Sequence, residues 1–379
     1  MNQIPPGAML GVLGGGQLGR MFVIAAHRLG YRVAVLSSSP GSPAGQLADA
    51  EICGDLNDPA TVVAFAGSVS ALTFENEHID PAVLAAASEA TVVRPQAAVL
   101  RHTRDRLEQR NLLNELGSAV APFAAIRGPA DLARAASAGI FPAFLKTARN
   151  GYDGRGQVEV SSVRAALEAW ERFGRVPAIL EKRIELQAEF SVIVARTASG
   201  ETALYEPIRN VHFEGVLDTS TCPAGLLPQT VRIGQETAAR IAQAVDLEGV
   251  LCVEFFLDEF DRVLVNEIAA RPHNSGHLTI EACEASQFEQ QVRVLAGLPL
   301  GNSRLIAPAA MVNLLGAAPP GCTPVEEVAS SVYLHRYGKD SRYLRKVGHI
   351  TALGSANGSA LLRALAIRAE FALGTGGER

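Results

Sequence analysis

Lysine is scarce in this 379-residue chain. It occurs at four positions only, Lys146, Lys182, Lys339 and Lys346, so that 30 of the 34 Lys and Arg residues are Arg. Such a bias is first of all typical of genomic base composition. It also draws attention to the four positions that keep a compact, mobile ammonium group instead of a planar guanidinium.

Cysteines are few and scattered, and long apolar runs are absent. The five cysteines (Cys53, Cys222, Cys252, Cys283 and Cys322) form no Cys-x-x-Cys pair, which argues against a zinc or redox site of that kind. Their odd number fits a reducing compartment better than a disulfide framework. No run approaches the roughly 18 apolar residues of a membrane span, and the N-terminus lacks a signal-peptide pattern. We therefore expect a soluble, cytoplasmic protein.

Charge of one sign is not concentrated anywhere. The chain has 39 acidic and 34 basic residues, a net charge of −5, and no block of like charge. This balance argues against nucleic acid or a membrane surface as a partner. Since 48% of the residues are hydrophobic, the chain can build sizeable cores, and its length predicts two or three domains.

The first hundred residues predict an open, mostly parallel α/β domain. Apolar runs at 9–13 and 32–36 flank a glycine-rich turn and an amphipathic stretch over 20–29, which is the pattern of a βαβ unit. Further strands are expected at 71–74 and 91–93, with a helix over 81–89 between them. We place the first domain at 1–103.

The rest of the chain predicts two further domains, at 104–300 and 301–379. A helix is expected over 104–116 with Asp105 and Glu108 in its first turn, and other helices over 234–245, 279–295 and 360–373. Strands are expected at 143–147, 178–181, 190–195, 203–206, 252–257 and 262–267, the last two joined as a hairpin. After Pro299 short strands interrupted by Gly and Pro predict a small β-rich domain.

Two glycine-rich loops are candidate phosphate sites. Gly14, Gly16 and Gly19 match G-x-G-x-x-G between a strand and a helix, where backbone amides can hold a phosphate. The second strand ends in serines (37–39) rather than the acidic residue of a dinucleotide site, which argues against a nicotinamide cofactor. A phosphate-bearing small molecule and a purely structural turn both remain open.

The second loop spans residues 151–157 and follows Lys146 at a strand end. It has three glycines in seven residues, which suits a lid whose amides approach an anion, although a surface turn is the alternative. The P-loop pattern G-x-x-x-x-G-K-[ST] is absent, so that class of nucleotide site is excluded.

Glu254 and Glu267 are the strongest metal-ligand candidates. Each lies in an apolar strand of the predicted hairpin, where a carboxylate is costly to bury without a cation. Hard oxygen ligands suit Mg²⁺ that bridges nucleotide phosphates. Asn266 either flanks the metal or points to the other face, and a partly exposed strand face is the structural alternative.

Residues 271–277 contain two histidines, His273 and His277, that are four positions apart. The Asn-Ser-Gly sequence between them is unfavourable for a helix, which argues against a zinc site. We expect instead an anion-binding loop of Arg271, His273, Asn274 and Ser275.

A basic cluster lies near the C-terminus, where Lys339, Arg345, Lys346 and His349 surround Tyr343. They form either a solvated face or a phosphate clamp.

Taken together, these segments resemble the N5-carboxyaminoimidazole ribonucleotide synthetases, ATP-grasp enzymes of microbial purine biosynthesis. The resemblance rests on residues 14–21 (GGGQLGRM), 73–77 (TFENE), 150–157 (NGYDGRGQ), 266–277 (NEIAARPHNSGH) and 345–349 (RKVGH). It spans nearly the whole chain, and the motifs at 150–157 and 266–277 are the most specific.

The resemblance implies an α/β (α+β overall) ATP-grasp fold with a Rossmann-like first domain, a lid at about 120–185 and a β-rich third domain. It implies an ADP-forming ligase that uses ATP, Mg²⁺ and bicarbonate to carboxylate 5-aminoimidazole ribonucleotide. In the family, carboxyphosphate forms and breaks down to CO₂, which the amine captures. Phosphoryl transfer of this type depends on positioning and charge neutralisation, and a closed lid protects the intermediate from water. A homodimer is also implied.

The resemblance further implies roles for individual residues. The ATP site comprises Arg106, Lys146, Gly151, Tyr152, Asp153, Gly154, Arg155, Gly156, Gln157, Glu181, Lys182, Arg183, Ile184, Glu189, His212, Asn266 and Glu267. The ribonucleotide site comprises Gln17, Leu18, Glu75, Lys339, Arg345 and Lys346, and the metal ligands are Glu254 and Glu267. Tyr152, Asp153, Arg271, His273 and Asn274 are expected at the reacting groups, with the last three at the bicarbonate or CO₂ pocket.

One departure and several alternatives remain at this point. Arg110 stands where family members often have Lys, a change that keeps the charge. Another ATP-grasp ligase, such as the formate-dependent glycinamide ribonucleotide transformylase or a biotin carboxylase, would share the nucleotide site. A Rossmann-type dehydrogenase or nucleotide-sensing module is the alternative from another class.

Overall fold

A computed structural model describes residues 3–149, 151, 156–317, 319, 321 and 323–374 of the chain. The described strands form three sheets of five, four and ten strands. No helix in this part of the chain is long and apolar enough to cross a membrane.

The first sheet is parallel, with strand order β3-β2-β1-β4-β5. Its strands are β1 (Met9–Leu13), β2 (Arg32–Ser37), β3 (Ala50–Cys53), β4 (Ala71–Phe74) and β5 (Val92–Val93). Its helices are α1 (Gln17–Arg28), α2 (Pro59–Ala66), α3 (Pro81–Ala87) and α4 (Ala97–Thr103). Because the order reverses between β1 and β4, a crevice opens at their carboxyl ends, where ligands of such sheets bind.

The second sheet is antiparallel, with order β6-β9-β7-β8. It follows helix α5 (Arg106–Glu115) and contains β6 (Phe123–Ile126), β7 (Ala143–Thr147), β8 (Gln157–Val160) and β9 (Ala178–Lys182). Helices α6 (Pro129–Ser137) and α7 (Val163–Arg172) bury Leu132, Ala166 and Trp170 against its apolar face. The segment predicted as a lid is therefore a unit with its own core.

The third sheet is antiparallel and runs through the rest of the chain, with order β15-β14-β10-β12-β13-β16-β19-β18-β17 and β11 paired to β10. Its strands are β10 (Leu186–Arg196), β11 (Thr202–Leu204), β12 (Ile208–Phe213), β13 (Val216–Cys222), β14 (Gly249–Asp258), β15 (Val263–Ala269), β16 (Ala309–Leu315), β17 (Val325–Ala329), β18 (Val332–Arg336) and β19 (Lys346–Leu353). Helices α8 (Pro228–Ala244), α9 (Thr279–Ala282), α10 (Gln287–Leu295) and α11 (Asn357–Gly374) accompany it, with a 3₁₀ turn at Asn274–Leu278.

Helix α8 covers the part of this sheet that carries the predicted metal ligands. The rings of Phe190 and Phe255 stack at 4.9 Å between β10 and β14. A Cβ on Gly234 of α8 would stand 2.8 Å from the Phe190 ring, so glycine allows the helix to approach. This tight core fixes β10 and β14, the strands that carry Glu189 and Glu254 into the site.

The fold class predicted from the sequence is confirmed, including the parallel N-terminal sheet and the β-rich C-terminal part. The C-terminal strands, however, extend the third sheet instead of forming one of their own, because β16 pairs with β13. A sequence pattern predicts strands but carries no signal for a partner so distant in the chain.

Two predicted helices differ in detail. The helix expected over 279–295 is wrong as a single element: it breaks between α9 and α10, where Ala285 and Glu284 donate backbone hydrogen bonds to residues 302 and 304, and Ser286 caps α10. The helix expected over 104–116 begins at Arg106. Asp105 is its N-cap, accepting from the Leu107 amide at 2.9 Å, and is not part of the first turn.

Candidate active site

A cleft of about 930 Å³ lies where the three sheets meet. Its walls are the carboxyl ends of β1 and β4, the inner face of the β7–β8 hairpin, the β9–β10 connection, the β14–β15 hairpin and the segment before β19. Segments from all three predicted domains therefore contribute to one cavity.

Most residues predicted as site residues line this cleft. They are Gln17, Leu18, Glu75, Arg106, Lys146, Gly151, Gln157, Glu181, Lys182, Ile184, Glu189, His212, Glu254, Asn266, Glu267, Arg271, His273, Asn274, Lys339, Arg345 and Lys346. Gly156 and Arg183 do not line it, and Arg183 instead pairs with Glu159 and Glu185 on an exposed edge. Tyr152, Asp153, Gly154 and Arg155 lie outside the described residues.

The first glycine loop holds a carboxylate of the protein itself. The backbone amides of Gly16 and Gly19 donate to Glu75, the latter at 2.8 Å. A Cβ at Gly14, which has a φ of 107°, would collide with the Glu75 side chain. These two amides thus fix Glu75 in the wall of the cleft, although the sequence alone allows a phosphate at the same amides. Burial raises the pKa of Glu75 above its ordinary value, although the two amides oppose this.

The predicted ribonucleotide residues converge on the same side of the cleft. Lys339 Nζ donates to the side-chain oxygen of Gln17, which links the segment before β19 to the start of α1. Lys346 is 9% exposed, and Arg345 lines the cleft beside it. His349, grouped with these basic residues in the sequence, is fully buried and packs instead on Tyr337, at 2.8 Å from its hydroxyl.

Lys146 belongs to a buried network of charges. Its Nζ lies 2.5 Å from Glu181 Oε2, while Arg110 Nε donates to Glu181 Oε1 at 2.8 Å. Arg110 also donates to the Asn266 carbonyl at 2.7 Å. Burial opposes ionisation of Glu181, but the charges of Lys146 and Arg110 outweigh it and lower its pKa to about 2. The carboxylate is therefore charged and holds Lys146 at the cleft wall.

The two predicted metal ligands face each other. Glu254 and Glu267 are paired residues of β14 and β15, so their side chains emerge on one face of the hairpin. Burial, with the charges of Glu267 and Glu189, raises the pKa of Glu254 to about 7. Burial also opposes the charge on Glu267, but Arg106, at 3.1 Å, and Lys146 bring its pKa below the ordinary value.

This pair of carboxylates fits Mg²⁺. Among the described residues no group of three or more His, Cys, Asp or Glu could cage a metal ion. Mg²⁺ usually keeps several waters and is held by one or two carboxylates together with phosphate oxygens. Asn266, whose buried Oδ1 has no hydrogen-bond partner in the described structure, flanks the pair. The donor set therefore suits a cation that enters with a polyphosphate.

Near these carboxylates, Glu189 and His212 form an ion pair, with His212 Nδ1 at 2.8 Å from Glu189 Oε2. Burial opposes protonation of His212, but the Glu189 carboxylate raises its pKa above the usual value. Apolar side chains line the neighbouring wall of the cleft: Phe144, Ile184, Leu186, Phe256 and Val265. A planar apolar base with a hydroxylated sugar fits this part of the cleft.

Arg271 and His273 reach the cleft from the segment after β15. Arg271 Nε donates to Glu77 Oε2 at 2.8 Å. His273 Nε2 lies 3.5 Å from Glu254 Oε1, and its Nδ1 is 2.9 Å from Ser275 Oγ. His277 is fully buried in an aromatic cluster with Phe288 and Tyr337. The two histidines considered for zinc therefore lie in different environments, His273 at the cleft and His277 in the core.

The sequence alone assigns no role to Glu77, which lies in the 73–77 motif, or to Arg110, and no side-chain role to Glu181. A signal that identifies Glu181 is its position directly after three apolar residues of a strand, because a carboxylate buried there requires a cation as its partner.

Comparisons with known proteins cover the same three regions. Residues 8–104 match the model for the ribonucleotide synthetase preATP-grasp domain. Residues 111–288 match the ATP-grasp domain, and residues 309–363 match the phosphoribosylaminoimidazole carboxylase C-terminal domain.

Whole-chain relatives agree with these matches. The N5-carboxyaminoimidazole ribonucleotide synthase of Brucella melitensis is 38% identical over 360 residues, which cover 93% of this chain and 98% of the relative. The crystal structure of an ADP complex of an N5-carboxyaminoimidazole ribonucleotide synthetase has a TM-score of 0.89 and 35% identity, with coverage of 97% and 98%. That of the Aspergillus clavatus synthase with ADP and 5-aminoimidazole ribonucleotide has a TM-score of 0.86 and 29% identity, with coverage of 96% and 99%.

Proposed function

Because this chain belongs to the family of N5-carboxyaminoimidazole ribonucleotide synthases, we propose that its cleft carboxylates the exocyclic amine of 5-aminoimidazole ribonucleotide at the expense of ATP. It is an ADP-forming ATP-grasp ligase of purine biosynthesis. The further assignments below concern the co-substrate, the metal and the individual residues of this chain.

One observation carries the proposal. The basic cluster for a substrate phosphate, the paired carboxylates for a metal–nucleotide complex and the Arg271–His273 segment all line a single cleft. A ligase that joins two small substrates needs this arrangement, because the reacting groups gain most of their rate from being held together.

In the nucleotide half, the ribose hydroxyls face Glu189, the base lies against the apolar wall, and Lys146 and Arg106 neutralise the phosphates. Glu254 and Glu267 would hold Mg²⁺, which supplies positive charge to the phosphate oxygens when bound. Lys146 keeps its position because Glu181 holds it, so little reorganisation is needed when charge develops in the transition state.

In the other half, Lys339, Arg345 and Lys346 bind the substrate phosphate, while Gln17, Leu18 and Glu75 orient the ribose and base. Arg271, His273 and Asn274 bind bicarbonate. A bicarbonate oxygen attacks the γ-phosphorus, the bond to the bridging oxygen of ADP breaks, and carboxyphosphate forms. Cleavage of its carbon–oxygen bond gives CO₂ and phosphate. The amine nitrogen then attacks CO₂ and loses one proton to yield the carbamate.

Three broader proposals concern the domains, the assembly and the cellular location of the protein. We assign domains to 1–103, 104–300 and 301–379, with the unit at about 120–185 as a lid over the reacting groups, since it has its own sheet and core. We also propose a homodimer. A cytoplasmic location is consistent with the four described cysteines, which are all free thiols.

The function is tested by ADP formation in the purified protein with ATP and Mg²⁺. Turnover should require both bicarbonate and 5-aminoimidazole ribonucleotide, and omission of either should reduce it to background. Formate with glycinamide ribonucleotide should not replace them. Turnover with that pair, or saturable NAD(P)H binding without ATP turnover, would reject the proposal.

A further inference from the structure

Glu77 and Arg271 form an ion pair that joins the two halves of the cleft. Glu77 lies three residues after the end of β4, on the first sheet, and Arg271 lies two residues after the end of β15, on the third. The 2.8 Å bond from Arg271 Nε to Glu77 Oε2 therefore bridges the segments that bring the ribonucleotide residues and the metal carboxylates to the cleft.

Both partners are shielded from solvent and line the cleft. The side chains are 22% exposed for Arg271 and 16% for Glu77. The second oxygen of Glu77, Oε1, is buried and has no hydrogen-bond partner in the described structure. Arg271 is thus the main restraint on this carboxylate, and the carboxylate is the main polar restraint on the guanidinium, whose other hydrogen bond goes to the Pro272 carbonyl at 3.2 Å.

Glu77 is also coupled to the ribonucleotide side through the backbone. Glu75, two residues earlier, extends β4 by donating its amide to the Leu13 carbonyl at 3.0 Å, and its carboxylate is fixed by Gly16 and Gly19. A substrate that contacts Glu75 therefore contacts the same short segment whose Glu77 holds Arg271.

We propose that Glu77 is a positioning residue that holds Arg271 in the orientation needed to bind bicarbonate, and that it couples occupation of the ribonucleotide pocket to this orientation. The proposal rests on the proposed function, since it assigns bicarbonate to Arg271. A planar guanidinium fixed through Nε presents its remaining N–H groups in one direction, which suits bidentate recognition of a planar carboxylate such as bicarbonate.

The test compares E77Q with E248Q. Glu248 also forms an ion pair between the first and third sheets, with Arg94 Nε at 2.7 Å, but it does not line the cleft. For E77Q we expect KM for bicarbonate to rise by about 10- to 100-fold, the size of effect that a displaced catalytic contact produces, with KM for ATP little changed. The molar ratio of ADP to carboxylated ribonucleotide formed should also rise above one. E248Q should keep wild-type values of both KM and that ratio.

A double-mutant cycle with R271K separates positioning from a general structural effect. If Glu77 acts by orienting the guanidinium of Arg271, E77Q should reduce the activity of R271K little further, because lysine has no guanidinium for Glu77 to orient. The cycle is repeated with E77D, which keeps the charge, so that a folding defect of E77Q does not decide the result. Additive losses in the cycle, or equal rises in KM for bicarbonate and ATP, would overturn the proposal. Absence of bicarbonate-dependent ADP formation in the wild type would instead reject the proposed function.

Discussion

Lys146 Nζ lies 2.5 Å from Glu181 Oε2, so one of the four lysines of this arginine-rich chain places its ammonium group against a buried carboxylate. Glu181 already accepts from Arg110 through its other oxygen, so Lys146 contacts the oxygen that Arg110 Nε does not use. A guanidinium at position 146 would have to place a wide planar group where Lys146 itself is only 9% exposed.

K146R should therefore lower ATP turnover by about 100-fold or more, because the cation that we propose to contact the phosphates would no longer reach them from the same place. The reciprocal substitution R110K is the comparator. It keeps the charge beside Glu181 and gives up part of a bidentate contact away from the phosphates, so most turnover should remain. The measurement is kcat for ADP formation in both variants. Undiminished activity in K146R would mean that the active site does not require lysine at this position and that base composition suffices to explain it.

The low pKa of Glu181 predicts a pH-dependent contribution to stability. Its pKa is lowered from 4.5 to about 2 in the folded state, despite burial, by Lys146 and Arg110. A depressed carboxylate pKa stabilises the fold fully above the unfolded pKa, and the contribution is lost as pH falls through the folded value. The shift corresponds to about 3 kcal/mol at neutral pH.

E181Q, without nucleotide, should therefore lower Tm strongly at pH 7, where it also leaves two buried cations unpaired. The gap in Tm between wild type and E181Q should narrow as pH falls from 4.5 towards 2. A gap that stays constant over this range would contradict a charged Glu181 in the folded protein.

E267Q is expected to lower ATP turnover by roughly 100- to 1,000-fold with the thermal transition preserved, because it removes one of the two carboxylates assigned to Mg²⁺. The residual activity should need a higher Mg²⁺ concentration to reach half of its maximum. E259Q, at the exposed turn of the same hairpin, serves as the matched control and should behave as wild type. Wild-type turnover in E267Q would contradict the assignment of Glu267 as a Mg²⁺ ligand.

R345A should raise KM for 5-aminoimidazole ribonucleotide by about tenfold or more, the loss expected for a hydrogen bond between charged groups. KM for ATP should change far less, because Arg345 belongs to the basic cluster proposed to bind the ribonucleotide phosphate. R164A, on a side chain that is 90% exposed on α7, tests for an unspecific effect of charge removal. Equal increases in both KM values would contradict a substrate-phosphate clamp.

Much of the fold follows from local patterns in the sequence. The first βαβ unit and the β14–β15 hairpin are short-range elements, so apolar periodicity and turn residues suffice to predict them. The helix break at Cys283–Ser286 depends on backbone bonds from 284 and 285 to residues 302–304. A tertiary contact of this kind overrides helix propensity and leaves no local signal.

The candidate site divides in the same way. Glu254 and Glu267 stand out because charged residues within apolar strands need a partner. Glu77 and Arg110 do not, because their importance comes from pairing with Arg271 and Glu181 over 194 and 71 positions of the chain. Likewise, the glycine loop predicts an anion at its amides, but only the structure identifies Glu75 as the one it holds.

The most direct test of the proposed reaction is the fate of oxygen from bicarbonate. With ¹⁸O-labelled bicarbonate, ATP and 5-aminoimidazole ribonucleotide, the phosphate released in early turnovers should carry one labelled oxygen, because in the proposed reaction a bicarbonate oxygen attacks the γ-phosphorus. Phosphate that acquires its new oxygen from water instead would contradict it.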